Sequence, residues 1–275
     1  MPLVLVGTPI GNLGDLSPRA VEALAAADAI CCEDTRRTGR LLQHAGVERR
    51  PLVIVNDHTE ARAISGVLER LGRGERVAVV TDAGMPGISD PGERLVSAAV
   101  DAGHVVEVVP GPSAAVAALV TSGLATGRYT FEGFLPRKGS GRAERLAEIS
   151  AERRTSVLYE APHRLARTLA DLAAACGGDR RVAVGRELTK LHEEVWRGSL
   201  DAAVAWVAGR EPRGEVVVVL EGAPPPEPPG ESEVEAGVRA RLRQGASPRD
   251  AASAVAAELG VPRRWAYEVA LRLRR

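Results

Sequence analysis

Three segments rich in glycine and proline carry the clearest chemical signal in this sequence of 275 residues. They are GTPIGNLGD (7–15), TDAGMPGISDPG (81–92) and PGPSAA (110–115). Glycine lets backbone N–H groups approach a ligand, and proline reduces the number of loop conformations that binding must freeze. A single such segment could be only a tight turn. Three of them, each after an apolar run, favour a ligand site built from backbone groups.

The spacing of the glycines excludes the common nucleotide-binding loops. The chain has no G-x-x-x-x-G-K-[ST] phosphate loop, no G-x-G-x-x-G fingerprint after its first apolar run, and no G-x-S-x-G nucleophile turn. Its three cysteines and five histidines show no metal-type spacing, so we predict no metal site and thiols that fill the core.

Elements of an α/β fold must position these segments. Apolar runs in the first half alternate with helix-length segments, which predicts a largely parallel sheet with all three loops at one edge. The predicted strands are 3–6, 29–32, 52–55, 77–80 and 105–109, with helices opening at Ser17-Pro18 and near 38–45, 61–71, 91–102 and 113–122. We place the first domain at 1–122.

A second α/β domain is predicted at 123–222. Its strands are 131–135, 156–159, 182–184, 194–197 and 215–221, and its helices are 142–152, 162–176 and 200–208. The uninterrupted run VVVVL at 216–220 is typical of a central strand that is covered on both faces.

The composition changes after this domain. GAPPPEPPG (222–230) predicts an extended linker at 223–230, and residues 231–275 follow as a helical extension. Its predicted helices are 233–244, 248–259 and 263–272, and the last two resemble a helix-turn-helix. From residue 238 onward, nine arginines stand against three acidic residues, a net charge of +6. The overall balance of 36 basic and 36 acidic residues therefore hides a segregated charge and does not exclude a nucleic-acid partner.

Membrane insertion is not predicted, because no run approaches the roughly 18 apolar residues of a membrane span. The first residues, MPLVLVGTPIGN, also lack the pattern of a signal peptide, so we expect a cytoplasmic protein.

Eight strings in collinear order resemble the RsmI branch of the tetrapyrrole methylase superfamily, the small-subunit ribosomal RNA cytidine 2′-O-methyltransferases. They are TPIGNLGD (8–15), EDTR (33–36), TDAGMPGISDPG (81–92), PGPSAAVAAL (110–119), FEGFLPRKG (131–139), YEAPHR (159–164), GRELTKLHEEVWRG (185–198) and GEVVVVLEG (214–222). The similarity spans residues 3–222, and the tail resembles the helix-turn-helix extension of that branch. Met85 and Gly87 depart from it, since members more often have Thr and a larger apolar residue there.

The resemblance implies two α/β domains, a cofactor cleft between them, and a homodimer. It further implies that S-adenosylmethionine is the cofactor, that no metal takes part, and that the methyl acceptor is the ribose 2′-hydroxyl of a cytidine in the decoding region of 16S rRNA within the 30S subunit. The implied cofactor residues are Pro9, Asp82, Gly84, Met85, Ile88, Ser113, Ala114, Tyr159, Leu188 and Val216. For Tyr159, a place in the core is the alternative.

A ribose hydroxyl is a poor nucleophile, so a base or a cation beside it should assist the reaction. We predict that Asp34 is the base, although N-capping of the next helix is the role its residue type favours. Lys190, one of only two lysines in the chain, is predicted to stabilise the developing alkoxide, and Glu187 is a further catalytic candidate. Chance placement is the alternative for Lys190. The predicted RNA contacts are Arg36, Arg37, Arg137, Lys138, Arg142, His163 and Arg164.

Two other functions remain open from the residues. Methylation of a tetrapyrrole carbon belongs to the same superfamily, but it usually accompanies a G-x-G-P-G first loop. A non-enzymatic RNA-binding protein would explain the basic tail and leave the three loops unexplained. The tail itself could bind RNA or stabilise a dimer.

Overall fold

The computed structural model describes residues 1–56, 59–210, 212–225 and 229–273. Two compact units divide the chain, 1–223 and 224–275. The strands of the first unit are β1 Leu3–Val6, β2 Ala29–Cys32, β3 Leu52–Ile54, β4 Val77–Val79, β5 Val106–Val109, β6 Tyr129–Phe134, β7 Thr155–Glu160, β8 Arg181–Arg186, β9 Glu194–Ser199 and β10 Val216–Leu220. Its α-helices are α1 Pro18–Ala25, α2 Thr35–His44, α3 Glu60–Gly72, α4 Glu93–Asp101, α5 Ala114–Thr121, α6 Ser140–Ala151, α7 Leu165–Cys176 and α8 Leu200–Val207.

The first sheet is parallel, in the order β3-β2-β4-β1-β5. Helices α1 and α2 cover one face and α3 and α4 the other, so its strands are buried on both sides. Because parallel strands end at the same edge, the loops after β1, β4 and β5 emerge together there. This arrangement confirms the α/β architecture predicted for the first half.

The second sheet is mixed, in the order β6-β7-β10-β8-β9. Strands β6 and β7 are parallel, whereas β10 runs antiparallel to both of its neighbours. Val216 at the start of β10 therefore pairs with Glu160 at the end of β7. Helices α6, α7 and α8 cover one face of this sheet, and α5 packs on the other face against Val157 and Val217.

The C-terminal unit has its own apolar core. Helices α9 Glu231–Arg243, α10 Pro248–Leu259 and α11 Arg263–Arg272 pack around Val234, Val255 and Val269. The hydroxyl of Ser247 caps α10, and Gly260, with φ of +65°, ends it in the left-handed conformation that glycine adopts without strain.

The first and third glycine-rich loops touch backbone to backbone at Gly7 and Gly111. A methyl group added at Gly7 would lie 2.6 Å from the Gly111 Cα and 2.7 Å from the Met85 sulfur. The second loop joins them through Thr8, whose N–H donates to the Gly84 carbonyl at 2.9 Å while the Gly84 N–H donates back at 3.2 Å. Steric contact between the two backbones thus requires glycine at positions 7 and 111.

Substitution of Gly7 by Ala should lower the free energy of unfolding by about 1–3 kcal/mol, because the new methyl group overlaps backbone that cannot yield freely. Urea denaturation measures the effect. Gly39→Ala is the matched control: Gly39 lies inside α2 with no atom within 4 Å of an added methyl, so this change should raise stability by about 0.5–1 kcal/mol. Equal effects at the two glycines would contradict the packing argument.

Candidate functional site

A cavity of about 300 Å³ lies where the second and third loops face the edge of the second sheet. Of the residues implied as cofactor contacts, the structure gathers Gly84, Met85, Ile88, Ser113, Ala114, Tyr159 and Val216 around it. Ile10 adds an apolar side chain from the first loop. The lining is therefore mostly apolar surface and backbone, with few charged groups.

Tyr159 ties the second sheet to the third loop. Burial raises the pKa of its phenol, while hydrogen bonds to the Ala115 backbone and the Ser113 side chain act in the opposite direction. Its ring meets Phe131 and Phe134 edge to face, with centroids 5.0 and 5.7 Å apart. The ring is thus fixed on one side of the cavity, with its hydroxyl at the start of α5.

A second cavity of about 310 Å³ adjoins the first. Pro9 and Asp82, both implied as cofactor contacts, line this second cavity instead of the first. Arg37 lies there too, with its Nη1 3.4 Å from Asp82 Oδ2. The cavities share three lining residues, Ile10, Ala83 and Glu215.

Lys190 joins two carboxylates at the second cavity. Its Nζ lies 2.8 Å from Glu187 Oε1 and 3.1 Å from Glu215 Oε2. Burial acts to lower the pKa of Lys190, but these two hydrogen bonds outweigh it and the pKa lies above its usual value. Burial likewise acts to raise the pKa of Glu187, but the hydrogen bonds from Lys190 and the Glu215 N–H outweigh it and leave the pKa lowered. Both groups are therefore charged at neutral pH.

Two glycines make room for these side chains. A methyl group at Gly11 would lie 2.3 Å from Lys190 Cγ, and one at Gly214 would lie 2.2 Å from Glu187 Cδ. Lys190 thus crosses the first loop at Gly11. Glu187 itself has a φ of +51°, an unusual conformation for a residue with a side chain.

Asp34 is the N-cap of α2. Its Oδ1 accepts from the Arg36 N–H at 2.8 Å, and its Oδ2 pairs with the Arg36 guanidinium at 2.8 Å. These bonds hold the pKa of Asp34 well below its usual range. Neither Asp34 nor Arg36 is among the residues that line the two cavities. The capping role that its residue type favoured is the one the structure shows, and a carboxylate held in this way accepts a proton poorly.

The prediction that Arg142 contacts RNA is wrong, because its side chain is only 5% exposed. The guanidinium binds Asp171 Oδ2 at 2.8 Å, the Pro136 carbonyl at 2.9 Å and the Thr168 hydroxyl at 3.0 Å. Thr168 donates in turn to the buried Glu160 at 2.5 Å. Arg142 is therefore the centre of a buried network between the loop before α6 and the end of β7.

The Arg164 side chain likewise binds acceptors of the second half of the chain instead of projecting into solvent. It pairs with Glu160 at 3.1 Å and donates to the Leu135 carbonyl at 2.6 Å. By contrast, Arg137, Lys138 and His163 are exposed. Leu188 lies in the apolar core against Gly185, outside the lining of both cavities.

Several lining residues escaped the sequence reasoning. They include Phe134, Glu160, Ala161, Pro162, Gly214 and Glu215 at the first cavity, and Arg40 at the second. Gly214 and Glu215 precede a strand, and they reach the site only because β10 is antiparallel to β7. Arg40 had a detectable signal, since it lies one helical turn after the predicted Arg36 and Arg37.

In the described ranges, no three side chains of the His, Cys, Asp or Glu type are grouped in a way that could hold a metal ion. Within the same ranges, none of the helices combines the length and apolarity that crossing a bilayer requires.

Comparison with known proteins defines the class of this molecule. The family model of Tetrapyrrole (Corrin/Porphyrin) Methylases matches residues 2–204, and the chain belongs to that family. Solved structures share its fold. The methyltransferase CobJ aligns with a TM-score of 0.61 at 21% identity over 81% of this chain and 94% of its own. Uroporphyrin-III C-methyl transferase from Thermus thermophilus, complexed with S-adenyl homocysteine, aligns with a TM-score of 0.58 at 18% identity over 80% and 96%.

Curated relatives give a narrower grouping, and the three described next are each named Ribosomal RNA small subunit methyltransferase I. The protein from Synechocystis sp. is 45% identical over 98% of both chains. That from Mycobacterium bovis is 46% identical over 99% of this chain and 95% of its own, and that from Pseudomonas aeruginosa is 43% identical over 98% and 96%. The family resemblance expected from the sequence strings is thereby confirmed.

Substitution of Arg142 by Met should lower the free energy of unfolding by about 1.5–3 kcal/mol, because Asp171 would lose its nearer cation and the buried Thr168 hydroxyl would lose a donor. Chemical denaturation monitored by circular dichroism measures it. Arg145→Met removes an arginine of the same helix whose side chain is 48% exposed, and this control should cost less than about 1 kcal/mol. A loss at Arg142 no larger than that at Arg145 would rule out the network as a stabilising element.

Proposed function

We propose that this protein transfers a methyl group from S-adenosylmethionine to the ribose 2′-hydroxyl of a cytidine in the decoding region of 16S rRNA. The observation that carries the proposal is the 43–46% identity, over nearly the whole chain, to relatives named as small-subunit ribosomal RNA methyltransferases. The two adjoining cavities support it, since methyl transfer needs a donor and an acceptor held side by side.

The first cavity suits the adenosyl cofactor. Its volume of about 300 Å³ and mostly apolar lining fit a compact organic ligand, and Gly84, with φ of +83°, exposes backbone there. Gly84, Met85, Ser113, Tyr159 and Val216 would hold the cofactor through backbone groups and packing. The bound cofactor supplies an activated methyl group on a sulfonium centre, so the protein has to supply binding, alignment and electrostatics.

The acceptor side carries positive charge. Arg37 and Arg40 line the second cavity, while Arg137, Lys138 and His163 are exposed on the second domain. These groups would bind phosphates of the RNA. Lys190 would stabilise charge on the reacting oxygen, and Glu187 would hold its ammonium in place.

A homodimer belongs to the proposal. Exposed apolar side chains occur on three consecutive elements: Val108 on β5, Val116 and Val120 on α5, and Tyr129 and Phe131 on β6. Apolar surface of this kind favours burial against a partner. We further propose that the domains are 1–122 and 123–222, that 223–230 is a linker and 231–275 a basic helical extension, and that the protein acts on 30S subunits in the cytoplasm.

The purified protein should bind S-adenosylmethionine in calorimetry and transfer labelled methyl to 30S subunits or 16S rRNA from cells that lack the gene. Alkali-resistant dinucleotides in the product would place the methyl on a ribose 2′-oxygen, because a methylated 2′-oxygen cannot assist backbone cleavage. Label on uroporphyrinogen in place of RNA would favour tetrapyrrole C-methylation. RNA binding without any binding of the cofactor would favour a non-enzymatic protein.

Replacement of both Arg137 and Lys138 by Gln should weaken 30S binding and reduce the slope of log K against log salt by about 0.7–0.9 for each phosphate that the variant no longer neutralises. Cofactor affinity should stay unchanged, because neither residue lines the first cavity. The double replacement of Arg62 and Arg94 by Gln, at exposed arginines on α3 and α4, removes the same two charges and is the control for net charge. An unaltered salt slope in the variant of Arg137 and Lys138 would remove this loop from the RNA interface.

A further inference from the structure

The wall shared by the two cavities consists of Ile10, Ala83 and Glu215. A methyl group that passes from a donor in the first cavity to an acceptor in the second must cross near this wall. Ile10 and Ala83 have apolar side chains. Glu215 therefore supplies the one ionisable side chain that lines both cavities in the described part of the chain.

The position of Glu215 is fixed from both sides. Its Oε2 lies 3.1 Å from Lys190 Nζ, and its backbone N–H donates to Glu187 Oε1 at 2.9 Å. Its side chain is still 65% exposed. Among the described residues, Oε1 of Glu215 has no hydrogen-bond partner, so it can accept a bond from a ligand hydroxyl.

The second cavity combines the groups that recognise a nucleotide. Arg37 and Arg40 supply cations for a phosphate, and Arg40 forms no salt bridge within the described ranges. Leu13 and Leu41 supply apolar surface for a ring. At about 310 Å³, the cavity is large enough for a small organic ligand.

We propose that the second cavity binds the acceptor ribonucleotide and that Glu215 is the catalytic residue that receives the proton of its 2′-hydroxyl. This inference rests on the proposed function. As the bond from the 2′-oxygen to the methyl carbon forms, the carbon–sulfur bond breaks and its electron pair stays on sulfur. The hydroxyl proton passes to the Glu215 carboxylate and then to water. Lys190 positions the carboxylate and offsets negative charge on the oxygen.

The other carboxylates are placed less well, and Asp90 and Glu160 line only the first cavity. Asp34 is held by Arg36 and lines neither cavity. Asp82 pairs with Arg37 and lines only the second cavity. Glu187 bonds to the Lys190 ammonium and the Glu215 N–H through the same oxygen, and it packs against Gly214.

The rate test uses Glu215→Gln, which keeps the shape of the side chain and removes its capacity to take a proton. The rate of methyl transfer to 30S subunits at saturating substrates should fall by about 100-fold or more, with cofactor affinity and melting temperature close to wild type. Glu221→Gln is the matched control, since Glu221 lies just past the opposite end of β10. A rate for Glu215→Gln within about threefold of wild type would overturn the role of Glu215.

A binding test is independent of turnover. Protein saturated with S-adenosylhomocysteine is titrated with cytidine 5′-monophosphate and with its 2′-deoxy analogue. Wild type should prefer the ribonucleotide by about 10-fold or more, the value expected for a hydrogen bond to a charged group. Glu215→Ala should abolish this preference, and Arg40→Gln should weaken both nucleotides equally. Equal affinities in wild type, no binding of either nucleotide, or a preference that survives in Glu215→Ala would overturn the proposal.

The two tests separate this inference from the proposed function. A wild-type protein that methylates neither 30S subunits nor 16S rRNA contradicts the proposed function. In that case the preference for a ribonucleotide, and its loss in Glu215→Ala, would still decide whether Glu215 recognises a 2′-hydroxyl. If wild type methylates rRNA fully and Glu215→Gln does so at the same rate, the proposed function is supported and the catalytic role of Glu215 is rejected.

Discussion

The contact between Gly7 and Gly111 is the constraint on which the site depends. Strands β1 and β5 are neighbours, so the loops that follow them leave the sheet side by side, and only residues without a Cβ let the two backbones touch. Thr8 of the first loop and Gly84 of the second then exchange a pair of backbone hydrogen bonds, which joins these two loops. The three loops therefore form one surface. Backbone groups of the second and third loops face the first cavity, and no further side chains are needed to hold them there.

The second sheet completes the site because its strands do not all run in one direction. The antiparallel β10 brings its first residues beside the last residues of β7, so that Glu215 faces the loops of the first sheet. The segment after β8 turns at Glu187 and sends Lys190 across Gly11. The ion pairs of Lys190 with Glu187 and Glu215 thus form among residues next to strands of the second sheet. Arg37 and Asp82 bring a further ion pair to the second cavity from the side of the first sheet.

Arginine serves two purposes in this chain. Arg142 and Arg164 satisfy buried or half-buried acceptors around Glu160, and a buried carboxylate is costly unless it is paired. Arg37 and Arg40 line an open cavity, while Arg137 is exposed. The same residue type therefore holds the second domain together and offers charge to a partner. The formal net charge of zero predicts neither role, because each depends on where a particular arginine lies in the structure.

The sequence by itself determined the elements, the first sheet and its three loops, because apolar periodicity and glycine spacing are local properties of the chain. It also determined the family, because its motifs are long and collinear. Only the tertiary structure decided which charged residues reach the site. Arg142, predicted to bind RNA, is buried, and Asp34 is a helix cap. Glu215 lies in the string GEVVVVLEG, which carried the resemblance but gave this residue no role. The physical reason is that burial and strand direction depend on contacts between residues far apart in the chain, and no local pattern encodes them.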